Sequence, residues 1–153
     1  MIISFAGHSC ITASAEVKEK VKEQMRKCIA STERVTCYLG GYGDFDNICA
    51  VACNELKREN SNIEIVFVTP YLKCTQNTKS NNKNIGVCVY DSSVYPPIEN
   101  VPLKFAILKR NEWMIEKANL VIAYVKYTYG GAYKTLQIAK RKKKDVINIA
   151  DLI

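Results

Sequence analysis

The sequence predicts one α/β domain over residues 1–153, built on a mostly parallel sheet with helices on both faces. Two patterns carry this. Short apolar, β-branched runs alternate with amphipathic stretches along the chain, the pattern of strand–helix–strand units. Three of the runs also stop at glycine turns, Gly7-His8-Ser9, Gly40 to Gly43 and Gly130-Gly131. In a parallel sheet such turns gather at one rim, outside the carboxyl ends of the strands.

Ile2 to Phe5 reads as a buried first strand ending in Ala6-Gly7-His8-Ser9. Thr12 or Ser14 is placed to cap a helix whose apolar stripe is Val17, Val21, Met25 and Cys28. Val35 to Leu39 is a second strand that enters the turn Gly40-Gly-Tyr-Gly43. Asp44 or Asp46 would then cap a helix with Phe45, Ile48, Cys49, Ala52 and Leu56 on one side. Ile63 to Thr69 is a third strand, closed by Pro70. Residues 73–84 are Asn-, Lys-, Thr- and Ser-rich without a period, and read as a mobile surface loop, either a lid or a solvated insertion. Gly86 to Tyr90 reads as a short strand, and the prolines of Tyr95-Pro-Pro97 exclude a helix there. Phe105 to Lys117 is a helix with Arg110, Asn111, Trp113 and Met114. Leu120 to Val125 is the most continuous apolar run and hence a central strand. Ala132, Thr135, Leu136 and Ala139 mark a last helix, and Val146 to Ile149 a last strand.

No apolar run approaches the ~20 residues of a membrane span, and the N-terminus lacks the basic start of a signal peptide, so a cytoplasmic location is expected. Seven cysteines without C-x-x-C spacing, beside a single histidine, argue against zinc and for buried free thiols. The net charge of +7 would suit nucleic acid or phosphorylated ligands. Much of it sits in Lys140 to Lys144, where cations suit a helix end and no aromatics are interleaved, so nucleic acid is the weaker expectation.

The glycine turns define a candidate ligand site. Glycine lets a ligand approach the backbone, and the N–H groups that open the following helix favour an anion. Tyr42 and Trp113 are candidates to stack on a base, or Trp113 to anchor its helix to the core, and Arg110 taken by itself reads as a surface salt-bridge residue. His8 could bond a ligand or shuttle a proton, or be a polar loop residue without such a duty.

Four ordered motifs resemble the SLOG superfamily of Rossmann-like domains, which includes YpsA-like proteins, the cytokinin-activating LOG phosphoribohydrolases and the DNA-processing protein A fold. They are Ser-Phe-Ala-Gly-His8, Leu-Gly-Gly-Tyr-Gly-Asp-Phe-Asp46, Arg110-Asn-Glu-Trp-Met114 and Tyr-Gly-Gly-Ala-Tyr-Lys-Thr135. The resemblance implies a Rossmann-like three-layer sandwich and a pocket for a nucleotide-derived small molecule, a nucleotide or ADP-ribose-type ligand. By motif, Gly7, His8, Ser9, Gly40, Gly41, Tyr42, Gly43, Asp44, Arg110, Asn111, Gly130, Gly131 and Thr135 would bind it. It also implies a homo-oligomer, and neither a metal nor a resident cofactor.

The same comparison implies binding, sensing or sequestration over catalysis, and assigns no catalytic residue. LOG enzymes follow their glycines closely with a glutamate pair, whereas here no acid follows until Asp145. Asp44, Asp46 and Glu112 are the substitutes at hand. A LOG-type hydrolysis of nucleoside monophosphates is therefore the alternative, and a nucleic-acid-processing accessory role the second.

Overall fold

The computed structural model describes residues 1–71, 79–82 and 86–153. Eight strands and four α-helices follow in the order β1 (Ile2–Gly7), α1 (Ser14–Ser31), β2 (Val35–Leu39), α2 (Asp44–Glu59), β3 (Ile63–Val68), β4 (Lys79–Asn82), β5 (Gly86–Val89), β6 (Ser92–Val94), α3 (Ala106–Lys117), β7 (Leu120–Tyr124), α4 (Gly131–Arg141) and β8 (Asp145–Asn148). Six strands form one sheet in the order β6-β3-β2-β1-β7-β8, and every pairing in it is parallel. This is the α/β Rossmann-like sandwich expected.

Side chains alternate across the strands, and the alternation sorts the core into two layers. Ile3, Phe5, Cys37, Leu39, Ile65, Ile122 and Tyr124 pack with Val17, Val21 and Met25 of α1 and Phe45, Ile48, Cys49 and Leu56 of α2. On the opposite face Val121 meets Ile115 and Ile138, Val66 and Val68 meet Met114, and Ala123 meets Leu136. Helices α1 and α2 therefore cover one face and α3 and α4 the other. Chain order runs outward from β1 through β2 and β3, then returns to β7 on β1's other side. The change of direction lies between β1 and β7, where a parallel sheet opens a crevice at its carboxyl edge.

Several local expectations are corrected. Neither Thr12 nor Ser14 caps α1; the cap is Ala13, without a side-chain bond. Neither Asp44 nor Asp46 is the cap of α2 either, since Gly43 holds that position with φ 92°, a backbone conformation that side-chain-bearing residues avoid. Lys79–Asn82, within the stretch read as a loop, pairs antiparallel with β5. The rest of residues 73–84 lies outside the described residues. The resulting ribbon is separate from the main sheet, and Val89 N–H ties it to Asn54 Oδ1 on α2. The Ser92–Val94 strand beside β3 was not expected, because Ser-Ser carries no apolar period. Cys37, Cys49 and Cys53 are buried in the core, and Cys10 is exposed.

Candidate functional site

The crevice between β1 and β7 opens into a cavity of about 430 Å³. Its walls are the loop after β1 (Gly7 to Cys10), Gly40 and Tyr42 after β2, Asp46 in the first turn of α2, Ile107, Arg110 and Asn111 of α3, Tyr127 and Tyr129 after β7, and Gly130 to Ala132 with Thr135 at the start of α4. Residues up to 130 positions apart in sequence, Phe5 and Thr135, meet there because every contributing strand is parallel and ends at the same edge.

Arg110 forms the floor. It is 1% exposed, a cost that a guanidinium meets only when its donors are engaged. Nη1 donates to the carbonyls of Gly40 (2.8 Å) and Val68 (2.7 Å), and Nε donates to Asn111 Oδ1 (2.8 Å). Nη2 has no hydrogen-bond partner among the described residues and belongs to a side chain that lines the cavity. A Cβ on Gly40 would stand 2.9 Å from the guanidinium carbon, so this glycine makes room for the arginine. Tyr42 covers the other side, with the guanidinium carbon 5.5 Å from its ring centre. Burial draws the Arg110 pKa down, and Asp46, Tyr42 and Tyr71 oppose that pull.

Asp46 stands beside this cation. Its Oδ2 accepts the Tyr42 N–H at 3.1 Å. Burial raises its carboxyl to about 6, against the lowering influence of Arg110 and of the Tyr42 hydrogen bond. Asp44, its neighbour two positions back, turns away and accepts the Ile11 N–H at 2.9 Å, fastening the loop after β1.

The far wall is the start of α4. Gly130 precedes it with φ 90°, no side chain caps it, and its first turn carries no acid. The first N–H groups of a helix lack intrahelical partners and form an electropositive end. A hydrogen-bonded chain runs to it from the floor: Arg110 Nε to Asn111, Asn111 Nδ2 to Thr135 Oγ1 (3.5 Å), and Thr135 Oγ1 to the Gly131 carbonyl (3.0 Å).

Aromatic rings form the rim. His8 Nε2 accepts the Lys126 N–H at 2.8 Å, which leaves the ring proton on Nδ1 and fixes the loop after β7. Burial, then the Lys126 charge, lowers the His8 pKa and keeps the ring neutral. The rings of His8 and Tyr127 lie 5.2 Å apart, and those of Tyr127 and Tyr129 stack at 5.5 Å. Tyr127 is 53% exposed and Tyr129 70%.

Of the residues expected at the site, Gly7, His8, Ser9, Gly40, Tyr42, Arg110, Asn111, Gly130, Gly131 and Thr135 line the cavity. Gly41, Gly43 and Asp44 do not: Gly41 packs against Phe67 and Gly43 against Ser9, and Asp44 has the fastening role above. Trp113 also lies off the cavity, stacked on Tyr38 at 5.6 Å, and Glu112 pairs with Lys109. Asp145 opens β8 beside Leu120, at the amino end of the strands, so Asp46 is the carboxylate among the cavity-lining residues. The sequence offered Asp46 as a helix cap and as one of three substitutes for the missing glutamates, though not among the ligand contacts, and it passed over Tyr127 and Tyr129 as contacts, whose signal was two aromatics in a loop just before Gly130-Gly131. Among the described residues no group of three or more His, Cys, Asp or Glu side chains could hold a metal ion, and no helix is long and apolar enough to cross a membrane.

No protein-family model matches the sequence, and no curated protein matches it. Solved structures do match. DNA processing protein A of Helicobacter pylori, described for its single-stranded DNA binding mode, aligns with a TM-score of 0.57 and 14% identity over 95% of this chain and 63% of that one. DNA processing protein A of Streptococcus pneumoniae aligns with a TM-score of 0.61 and 18% identity over 94% of this chain and 48% of that one. The molybdenum cofactor binding protein of Rippkaea orientalis aligns at 0.57 and 15% over 96% and 74%. This chain spans under two thirds of the first protein and about half of the second. At these identities the likeness is one of fold, and the fold that this chain shares with all three is the Rossmann-like α/β sandwich.

Proposed function

We propose that this protein is a SLOG-type domain that binds a nucleotide-derived small molecule, a nucleotide or ADP-ribose-type ligand, in the cavity between β1 and β7, so as to sense or sequester it. One observation carries the reading. A buried guanidinium with a nitrogen that has no partner among the described residues, an uncapped helix start and a rim of aromatic rings share one cavity at the sheet's change of direction. Guanidinium and helix N-terminus suit phosphate, and exposed rings suit a base. Gly7, His8, Ser9, Gly40, Tyr42, Arg110, Asn111, Gly130, Gly131 and Thr135 are its proposed contacts. Resemblance alone suggests a homo-oligomer, which light scattering would test.

Isothermal titration of the full chain with AMP, ADP, cyclic AMP and ADP-ribose tests the reading. Binding of at least one is expected, together with protection of exposed Cys10, which lines the cavity, from alkylation read by peptide mass. No heat and no protection with any of them would refute it.

Asp46 favours a second reading, hydrolysis of the N-glycosidic bond of a nucleoside monophosphate. A carboxylate in the cavity could take a proton from water as its oxygen adds to C1′ and the C–N bond breaks, and then return that proton to the departing base. Release of free adenine from AMP, abolished in Asp46→Asn, would support it; AMP bound and recovered intact would exclude it. The net charge of +7 keeps a nucleic-acid role as a third reading, for which affinity should fall steeply with salt.

A further inference from the structure

Resting on the nucleotide-binding reading, we infer that Asp46 reads the hydroxyl groups of the ligand's sugar and makes the cavity select a ribosyl over a deoxyribosyl ligand. The floor holds two opposite polar groups, each committed on one side and open on the other. Arg110 is fixed by two backbone carbonyls and by Asn111, leaving Nη2 without a partner among the described residues. Asp46 is fixed through Oδ2 by the Tyr42 N–H, and its Oδ1 has no partner among the described residues. Both side chains line the same cavity.

These two groups ask different things of a ligand. Arg110 Nη2 donates and needs an acceptor, whereas an ionised Asp46 accepts and needs a donor. A phosphate against Asp46 would set like charges together, so the anion belongs with Arg110 and the start of α4. The donor that faces Asp46 then comes from the sugar or the base. The most exposed rings of the cavity, Tyr127 at 53% and Tyr129 at 70%, stand at its mouth, and Arg110 at 1% stands at its floor. A base stacked at the mouth with its phosphate directed inward brings the sugar, not the base edge, past Asp46. Sugar hydroxyls are donors that a carboxylate binds well, and a half-buried acceptor that a bound deoxy ligand shuts off from water and leaves unpaired is costly.

Proton release gives an independent readout. The charged and titratable groups around Asp46 are Arg110 from α3, Tyr42 from the loop before α2 and Cys49 from the next turn of α2. Hydroxyl donors stabilise the carboxylate, so a ribosyl ligand drives a proton off Asp46 near pH 6.

The test is isothermal titration of the full chain at pH 7.5 with AMP, 2′-deoxy-AMP, 3′-deoxy-AMP and GMP. Loss of the hydroxyl that faces Asp46 should weaken binding by about ten- to a hundredfold, and Asp46→Asn should shrink that ratio to about threefold or less. Titrating AMP at pH 6 in two buffers of different ionisation heat should show more protons released by the native chain than by Asp46→Asn, because the phosphate, which also titrates at about pH 6, contributes to both. If that variant does not fold, the comparison of ligands on the native chain decides alone. Equal affinity for all three adenine nucleotides would overturn the inference while leaving nucleotide binding intact. So would a preference for GMP over AMP that Asp46→Asn abolishes, which would mean that the base is read instead. No binding of any nucleotide would overturn both.

Discussion

Asp46→Asn should stabilise this protein at pH 8 and change it little near pH 4. Burial holds the Asp46 carboxyl at about 6, above its ordinary 3.8, against the pull of Arg110 and the Tyr42 N–H. The folded state therefore binds this proton more tightly than the unfolded chain. The associated stability is fully present below 3.8 and is lost as pH rises through about 6. A displacement of that size corresponds to about 3 kcal/mol at 1.36 kcal/mol per tenfold change in proton affinity. Asp46 faces an open cavity, and water there reduces the figure to about 2 kcal/mol. Asparagine keeps an oxygen for the Tyr42 N–H and carries no charge, so the variant lacks this loss. The gap in melting temperature between variant and native chain should widen by about 4–8 °C from pH 4 to pH 8 for a chain of this length. Thermal unfolding of both proteins in parallel across that range is the assay. The difference must be read, not the native profile, because Glu55 and Asp91 act with the opposite sign: burial raises their carboxyls, but lysine partners outweigh it and hold them low. A gap that stays constant with pH, or that narrows as pH rises, would refute the reasoning and mean that Arg110 outweighs burial at Asp46.

Arg110→Ala strands the Gly40 and Val68 carbonyls and removes the cation beside Asp46, and should cost about 3 kcal/mol in urea unfolding; Arg110→Lys should not restore it, since an ammonium lacks the fork. Gly131→Ala meets open space, so the fold should melt within about 1 °C of the native chain, while AMP affinity falls more than about tenfold as a methyl group enters the cavity wall. Lys143 sits at φ 56° just past α4, where Lys144 N–H reaches back to the Ala139 carbonyl; Lys143→Gly relieves that backbone and should add about 1 kcal/mol by denaturant unfolding. Glu55 holds Lys18 and Lys22 between α1 and α2. Glu55→Gln should cost about 1–2 kcal/mol at pH 7, and the loss should vanish towards pH 3, because a lowered carboxyl stabilises above its unfolded value and ceases to as pH falls.

The sandwich was legible because each buried strand carries its own signal. Leu120 to Tyr124 is apolar on both faces and lies inside the sheet between β1 and β8, and Val17, Val21 and Met25 announce the buried stripe of α1. The β6 strand was not legible: its three residues are held by pairing to β3 and by Asp91, whose carboxylate accepts the Ile65 N–H, not by any pattern of their own. The glycine turns marked the edge of the sheet at which the cavity opens, but not every glycine in them faces it. Gly41 and Gly43 answer to Phe67 and Ser9 instead. Asp44 and Asp46 look equivalent as helix-start acids. Two residues is about half a turn of helix, so one reaches the Ile11 N–H of the β1 loop and the other the Tyr42 N–H, a distinction set by tertiary packing that no local pattern records. Trp113 shows the converse, an aromatic in a suggestive motif that stacks on Tyr38 on the sheet's other face.

Native chain and Gly131→Ala, purified gently and then denatured, should be compared by mass spectrometry of the small molecules each releases. The account predicts a phosphorylated nucleoside or ADP-ribose derivative from the native chain in an amount approaching that of the protein, and little or none from the variant. A native chain that releases nothing, and that binds none of AMP, ADP, cyclic AMP or ADP-ribose when they are supplied, would contradict it.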